Sequence, residues 1–148
     1  MTTTTPLLDP RVIALAHYAA RGVLERVLAR HGVTFQQSVT LRVVAVADGP
    51  VGRDRLVDSV VGSLKIGAAE AHAVVDELID AQLVALTEPS QVRITDAGRE
   101  LYERTSAETA PITARIYDGI PTEDLAVAGR VLTLITDRAD AELATLGK

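Results

Sequence analysis

A mainly α-helical chain with one short β-hairpin is the fold class this sequence predicts, and three observations lead there. Apolar residues recur at helical spacing through most of the chain. Between Leu83 and Thr95 the pattern switches to alternation, in the two runs Leu83–Thr87 and Gln91–Thr95, separated only by Glu88, Pro89 and Ser90. Residues that start or stop helices stand at regular intervals: Asp9-Pro10, Gly32, Thr34, Gly49-Pro50, Gly67, Thr95 and Gly119. A helix leading into a small hairpin and then into another helix is the outline of a winged helix-turn-helix. Here long N- and C-terminal helices flank it.

The elements follow in order. Residues 1–8 are polar and threonine-rich and read as a disordered arm. Asp9 offers an N-cap and Pro10 an N1 proline, which together start a first helix. Along it Val12, Ala16, Ala19, Ala20, Val23 and Val27 recur on one side, with Ile13, Leu24 and Leu28 beside them, until His31-Gly32. Thr34 caps a second helix, Phe35–Ala47, which ends at Asp48-Gly49-Pro50. A third spans Arg53–Leu64 with Leu56, Val57, Val60, Val61 and Leu64 inward. Gly67 separates it from a fourth, Ala68–Gln82, which buries Ala71, Val74, Val75, Leu78 and Ile79. After the hairpin, Thr95 stands at an N-cap position and Asp96 places negative charge on the first helical turn. The pattern then continues to about Tyr117. Pro111 should kink or split this helix, because its ring removes a backbone hydrogen bond. After the turn at Asp118–Pro121, Thr122 is expected to cap a last helix carrying Leu125, Ala128, Val131, Leu132, Ile135 and Leu143 along its apolar side.

Composition narrows the function classes. The 148 residues suffice for one domain with a core. With no cysteine, disulfides and thiolate metal sites are excluded. The start of the chain lacks the basic-then-apolar layout of a signal peptide, and no apolar run approaches membrane-spanning length. A cytoplasmic protein without membrane contact is expected. Thirteen arginines against two lysines read as a GC-rich bacterial coding bias. The three histidines (His17, His31, His72) are scattered, no glycine pattern forms a phosphate cradle, and no serine sits in a nucleophile elbow. No catalytic residue, metal site or cofactor is expected.

Charge cuts against the obvious reading of a winged helix. The net charge is −5, and from Pro50 to Glu100 five basic residues face nine acidic ones. Because DNA affinity comes largely from neutralised phosphates, a DNA reader should show the opposite bias. The fourth helix would present Ala69, Glu70, His72, Ala73 and Asp76 to a major groove, with no Arg, Lys, Asn or Gln to read base edges. The candidate DNA-contacting residues are Arg53, Arg55, Lys65, His72 and Arg93, weighed against ordinary solvated surface charge.

The order of elements, together with four segments, resembles the MarR family of bacterial regulators. His31–Ala45 (HGVTFQQSVTLRVVA) is similar to the family's approach to the second helix. Val74–Leu86 (VVDELIDAQLVAL) is similar to the end of its recognition helix and first wing strand. Val92–Leu101 (VRITDAGREL) resembles the signature after the wing, and Gly119–Ile135 (GIPTEDLAVAGRVLTLI) the start of the C-terminal dimerisation helix. The resemblance covers nearly the whole chain. It implies a single domain over residues 9–148, with a winged-helix core at about 50–100 and dimerisation helices at 9–47 and 101–148. Two departures stand out: Glu88-Pro89-Ser90 replaces the family's long basic wing loop, and Val60–Ala69 reads as an extended turn before the recognition helix.

On this resemblance, His17, Tyr18 and Arg21, on one side of the first helix, would line a cleft for a small aromatic acid or phenol. Arg21 would pair with a carboxylate, and Gln37 and Tyr117 would line the same cleft. A half-buried cluster at a dimer interface is the competing reading of the same residues. The implied function is a homodimeric DNA-binding transcriptional regulator whose affinity for double-stranded DNA responds to a small aromatic ligand. The alternative is a MarR-fold protein that has lost DNA binding and serves as a small-molecule- or partner-binding module, with acquired enzymatic activity as one form of it.

Overall fold

The computed structural model describes residues 5–147, so residues 1–4 of the expected N-terminal arm lie outside the described residues. Residues 5–8 are exposed and have no regular secondary structure. The described residues form six helices and three strands. They run α1 (Pro10–Ala29), α2 (Phe35–Val46), β1 (Val51–Gly52), α3 (Arg53–Leu64), α4 (Ala68–Asp80), β2 (Val84–Leu86), β3 (Gln91–Ile94), α5 (Asp96–Tyr117) and α6 (Thr122–Leu146). No described helix is long and apolar enough to cross a membrane. The chain divides into two compact units, one ending at Ala110 and one beginning at Pro111.

Local chemistry sets the helix boundaries of the first unit. The Asp9 carboxylate accepts from the Val12 amide at 2.8 Å, and Pro10 follows at the first helical position. Gly32, at φ +70, turns the chain out of α1. At α2 the Thr34 hydroxyl accepts from the Gln37 amide at 3.1 Å, and the Gln37 side-chain oxygen accepts from the Thr34 amide at 3.1 Å, closing a reciprocal capping box. The connection between α3 and α4 runs only over residues 65–67, so most of the stretch that reads as an extended turn is helix. Lys65, at φ 58, provides the left-handed end of α3.

The core joins α2, α3, α4 and the sheet. Leu41, Val44, Leu56, Val57, Val60, Ala71, Val75, Leu78, Val84 and Val92 form one buried cluster. Each large aliphatic side chain there contributes roughly 1.5–3 kcal/mol, more than the ~0.2–1 kcal/mol of an exposed ion pair. Of the residues expected inward on α3 and α4, Val61, Leu64 and Ile79 are only partly buried at the cluster's edge. Along the first half of α1, Ala16, Ala19, Ala20 and Val23 are exposed in the single chain, and burial begins at Val27 and Leu28.

The sheet holds a strand that the two-run pattern does not reveal. β1 pairs antiparallel with β3 (Val51 with Val92, Gly52 with Gln91), and β3 pairs with β2, giving the order β1-β3-β2. Two residues are too few to show alternation, so β1 is legible only from its partner. The fourth helix is also shorter than expected, ending at Asp80, because Gln82 at φ 61 turns the chain into β2.

Around Thr95 the wing and α5 are locked together. Its amide donates to the Leu83 carbonyl at 3.1 Å, and its hydroxyl lies 2.7 Å from the Gln82 carbonyl oxygen and 3.0 Å from that of Leu83, donating to them. The same hydroxyl accepts from the Gly98 amide at 3.0 Å, capping α5. The first turn of α5 therefore lies against Leu83 so closely that a Cβ on Gly98 would stand 2.0 Å from the Leu83 carbonyl oxygen.

The later helices carry two corrections. Helix α5 runs unbroken from Asp96 to Tyr117 with Pro111 inside it, so the proline does not split it. The missing N–H costs one hydrogen bond, and the turns on either side keep helical form. Thr122 is the first residue of α6 rather than its cap; Pro121 occupies the N-cap position, where it has no side-chain donor or acceptor to offer. No residue of α6 is buried.

Gly98→Ala should destabilise the protein by about 1–3 kcal/mol or more, because the clash is with backbone rather than a movable side chain. Urea denaturation checks this, and an unchanged midpoint would contradict the close approach.

Candidate nucleic-acid interface and ligand clefts

The helix-turn-helix places α4 as the candidate recognition helix, with Glu70, Ala73 and Asp76 exposed and His72 half-buried. Arg53, at the start of α3, reaches across to this helix. Its Nη2 donates to Asp76 Oδ1 at 2.8 Å and to the His72 carbonyl at 3.4 Å, while its Nε donates to His72 Nδ1 at 3.2 Å. Its backbone amide donates to the Ser90 carbonyl at 2.7 Å, so the same residue also ties the wing turn to α3. With its side chain only 20% exposed, Arg53 is a bracket between α3, α4 and the wing. Two of the five DNA-contact candidates, Arg53 and His72, thus satisfy one another and Asp76.

The other cations are placed differently. Arg55 is exposed on α3. The Lys65 ammonium donates to the Gly62 carbonyl. Arg93 is exposed on β3 and leans on the Ile94 carbonyl at 3.4 Å, and Arg99 on α5 donates to the Ala45 carbonyl at 3.3 Å. Arg93, Arg99 and Asp48 edge a pocket of about 200 Å³ where the α2–β1 connection passes β3 and α5. Neither arginine meets a carboxylate among the described residues, so both remain available to an anion. The wing is a tight turn, closed by Thr87 N–H donating to Gln91 O at 3.1 Å and Gln91 N–H to Glu88 O at 3.2 Å. It presents no cation at its tip.

Three of the ligand candidates do come together, around a residue the sequence reading passes over. Phe35, the first residue of α2, receives the Arg21 guanidinium over its ring at 4.1 Å and the His17 ring edge-on at 6.5 Å between centroids. Tyr18 stands 6.1 Å from His17. Arg21 also donates to Glu25 at 2.9 Å, one turn along α1, so its charge is already paired. Gln37 is not part of this cluster. It is held by the α2 capping box, donates to Glu77 at 3.0 Å, and lines a different cavity. Tyr117 belongs to the second unit, at the end of α5, and is exposed.

Two larger cavities lie within the first unit. One, of about 350 Å³, is bounded by Leu24 of α1, Ser38 and Arg42 of α2, and Tyr102, Thr105 and Thr109 of α5. Here the hydroxyls of Thr105 and Thr109 donate to backbone carbonyls of their own helix. Arg42 is exposed and has no hydrogen-bond or ion-pair partner among the described residues. The second cavity, of about 450 Å³, lies where the α1–α2 connection meets the end of α4 and the first turns of α5, with His31, Val33, Leu83, Leu101 and Arg104 in its lining. His31 Nε2 lies 3.1 and 3.2 Å from the two carboxylate oxygens of Glu108, an interaction across 77 positions in sequence. The signal for Phe35 and Arg42 was present: a lone phenylalanine beside a helix cap, and a cation in the second half of α2. The His31–Glu108 pair leaves no sequence signature. Among the described residues no group of His, Asp or Glu has a geometry that could hold a metal.

No family model matches the chain, and no curated protein matches its sequence. Solved structures do match. CouR from Rhodococcus jostii RHA1, bound to p-coumaroyl-CoA, superposes with a TM-score of 0.71 at 19% identity, over 84% of this chain and 88% of that one. A mutant of MarR from E. coli complexed with operator DNA gives 0.71 at 16% identity, over 84% and 91%. Ligand-free NadR gives 0.70 at 19% identity, over 87% and 95%. The chain therefore has the winged-helix fold of the MarR regulators, as its sequence resemblance implies.

Gln37→Ala removes half of the capping box and the tie to Glu77, and should cost about 1–2 kcal/mol. A thermal melt showing no loss would contradict the structural role given to Gln37.

Proposed function

We propose that this chain is a MarR-like transcriptional regulator rather than an enzyme, acting as a homodimer that binds double-stranded DNA and changes its affinity on binding a small aromatic acid. The observation that carries this reading is the intact winged helix. A three-residue turn sets α4 against α3, the wing is pinned through Thr95 and Arg53, and the outer face of α4 stays open to a groove. The operator complex of the E. coli protein supports the same use of this fold.

The dimer follows from surface left in water. Helix α1 exposes Leu15, Tyr18 and Val23, while α6 exposes Val127, Leu132, Leu134, Ile135 and Leu143 and buries nothing. Patches of this kind mark association surfaces. The ligand's carboxylate belongs at Arg42, whose charge is unpaired among the described residues, with the aromatic body against Leu24 and Tyr102; the His17–Tyr18–Arg21 cluster around Phe35 is a separate candidate contact on α1. Occupation of this cleft biases the dimer between geometries that space the two α4 helices differently.

A second reading, of a MarR-fold module that no longer binds DNA, is favoured by one observation: Arg53, the basic side chain nearest the recognition face, is taken up by Asp76 and His72. Fluorescence anisotropy decides between the two, using DNA from upstream of the protein's own gene against a random duplex across a salt series. Tighter binding to the former with a steep salt slope supports the regulator. Equal, weak binding to both supports the module.

Two substitutions test the finer points. Ile135→Glu should convert the dimer to the 15.7 kDa chain by light scattering, with the helical circular dichroism of the first unit retained; an unchanged dimer would remove α6 from the interface. Arg42→Ala should weaken binding of benzoate by about tenfold or more, the loss of a charge-assisted hydrogen bond of ~1.5–3 kcal/mol. Arg21→Ala should have the smaller effect, and the reverse order in calorimetry would return the carboxylate to Arg21.

A further inference from the structure

We propose that the cavity beside His31 is a second small-molecule site, separate from the cleft at Arg42, and that it takes an uncharged hydroxylated compound such as a phenol. Its volume of about 450 Å³ falls in the range of small-molecule sites. The floor is apolar, from Val33, Leu83 and Leu101. The polar part is one imidazole. His31 is half-buried, its side chain 15% exposed, and its Nε2 faces both oxygens of Glu108. A carboxylate only accepts, so Nε2 carries a proton, and whenever the ring is neutral Nδ1 presents a lone pair. Nδ1 makes no hydrogen bond with the described protein, and it is not sealed from solvent, since among the described residues no buried side-chain nitrogen or oxygen lacks a partner. Glu108 thus fixes both the ring and its tautomer, leaving one oriented acceptor at the cavity wall.

Electrostatics selects the ligand's charge. Arg104, at the rim, is paired with Glu100 at 2.7 Å, and Glu108 faces His31 itself. The Gln37 amide is committed on both ends, to Thr34 and to Glu77. No unpaired cation remains in the lining to hold a carboxylate, in contrast to Arg42 in the other cavity. A hydroxyl donating to His31 Nδ1, on a flat apolar body, satisfies every group present. A phenolic hydroxyl is the stronger donor and the ring matches the floor.

The test uses the full-length protein and phenol as probe, at pH 8, followed by imidazole ¹⁵N resonances. Only three histidines are present, and His31→Phe identifies the resonance by its loss. Phenol should shift His31 Nδ1 and leave His17 and His72 unmoved, and His31→Phe should weaken binding by about three- to tenfold, the loss of one hydrogen bond. Ala97→Phe, at an exposed rim position, should block the cavity without touching the His31–Glu108 pair, and so guards against a folding defect in the first variant. Arg42→Ala should leave phenol binding unchanged, which separates this site from the proposed ligand cleft. Perturbation of His17 in place of His31, insensitivity to Ala97→Phe, or benzoate shifting His31 as strongly as phenol would each overturn the proposal.

Discussion

Everything in the winged segment depends on how closely α5 approaches Leu83. The Thr95 hydroxyl and amide bind the carbonyls at the end of α4 and the start of β2, and the same hydroxyl caps α5 through Gly98. A side chain at 98 would collide with the Leu83 backbone, so glycine permits a junction that no other residue allows there. This junction fixes β3, whose centre position in the sheet in turn recruits β1. It also sets the first turn of α5 against the apolar residues that floor the His31 cavity. Wing, recognition helix and cavity share one anchor.

A second constraint concerns charge. The winged segment is acidic, and the structure shows where the basic residues are used. Arg53 holds three elements together through Asp76, His72 and the Ser90 carbonyl. Arg93 and Arg99 rest on carbonyls and keep their charges unspent. On the proposed function, phosphate contact would fall to Arg55, Arg93 and Arg99 rather than to the outer face of α4. Readout by shape, with few base contacts, is the form of DNA recognition that such a surface suits.

Much of the fold was legible because its boundaries are written in single residues. Asp9-Pro10, Thr34 and Thr95 carry their capping chemistry in the side chain, and α3 begins and ends where its apolar spacing does. What escaped depends on partners distant in sequence. Strand β1 exists because β3 is there to pair with it, and Gln82 ends the wing's approach by a left-handed turn that no side-chain type announces. Thr122 carries a capping hydroxyl, yet Pro121 takes the position, a shift of one residue. In the sites, local clustering on α1 was readable as His17, Tyr18 and Arg21; their common neighbour Phe35 lies on another helix, and only its place beside the α2 cap marked it. Gln37 lies apart from them, its amide taken up by the helix cap and by Glu77. His31 and Glu108 meet only after the chain has folded.

The central claim is that a self-braced, acidic winged helix still reads DNA as a dimer. Hydroxyl-radical footprinting of the intact protein on DNA upstream of its own gene tests this most directly, because it reports binding and symmetry together. The account expects two protected half-sites on one face of the duplex, with centres about 10 base pairs or a multiple apart. A uniform pattern, with no protection at protein concentrations that shield the site of a known winged-helix dimer, would contradict it.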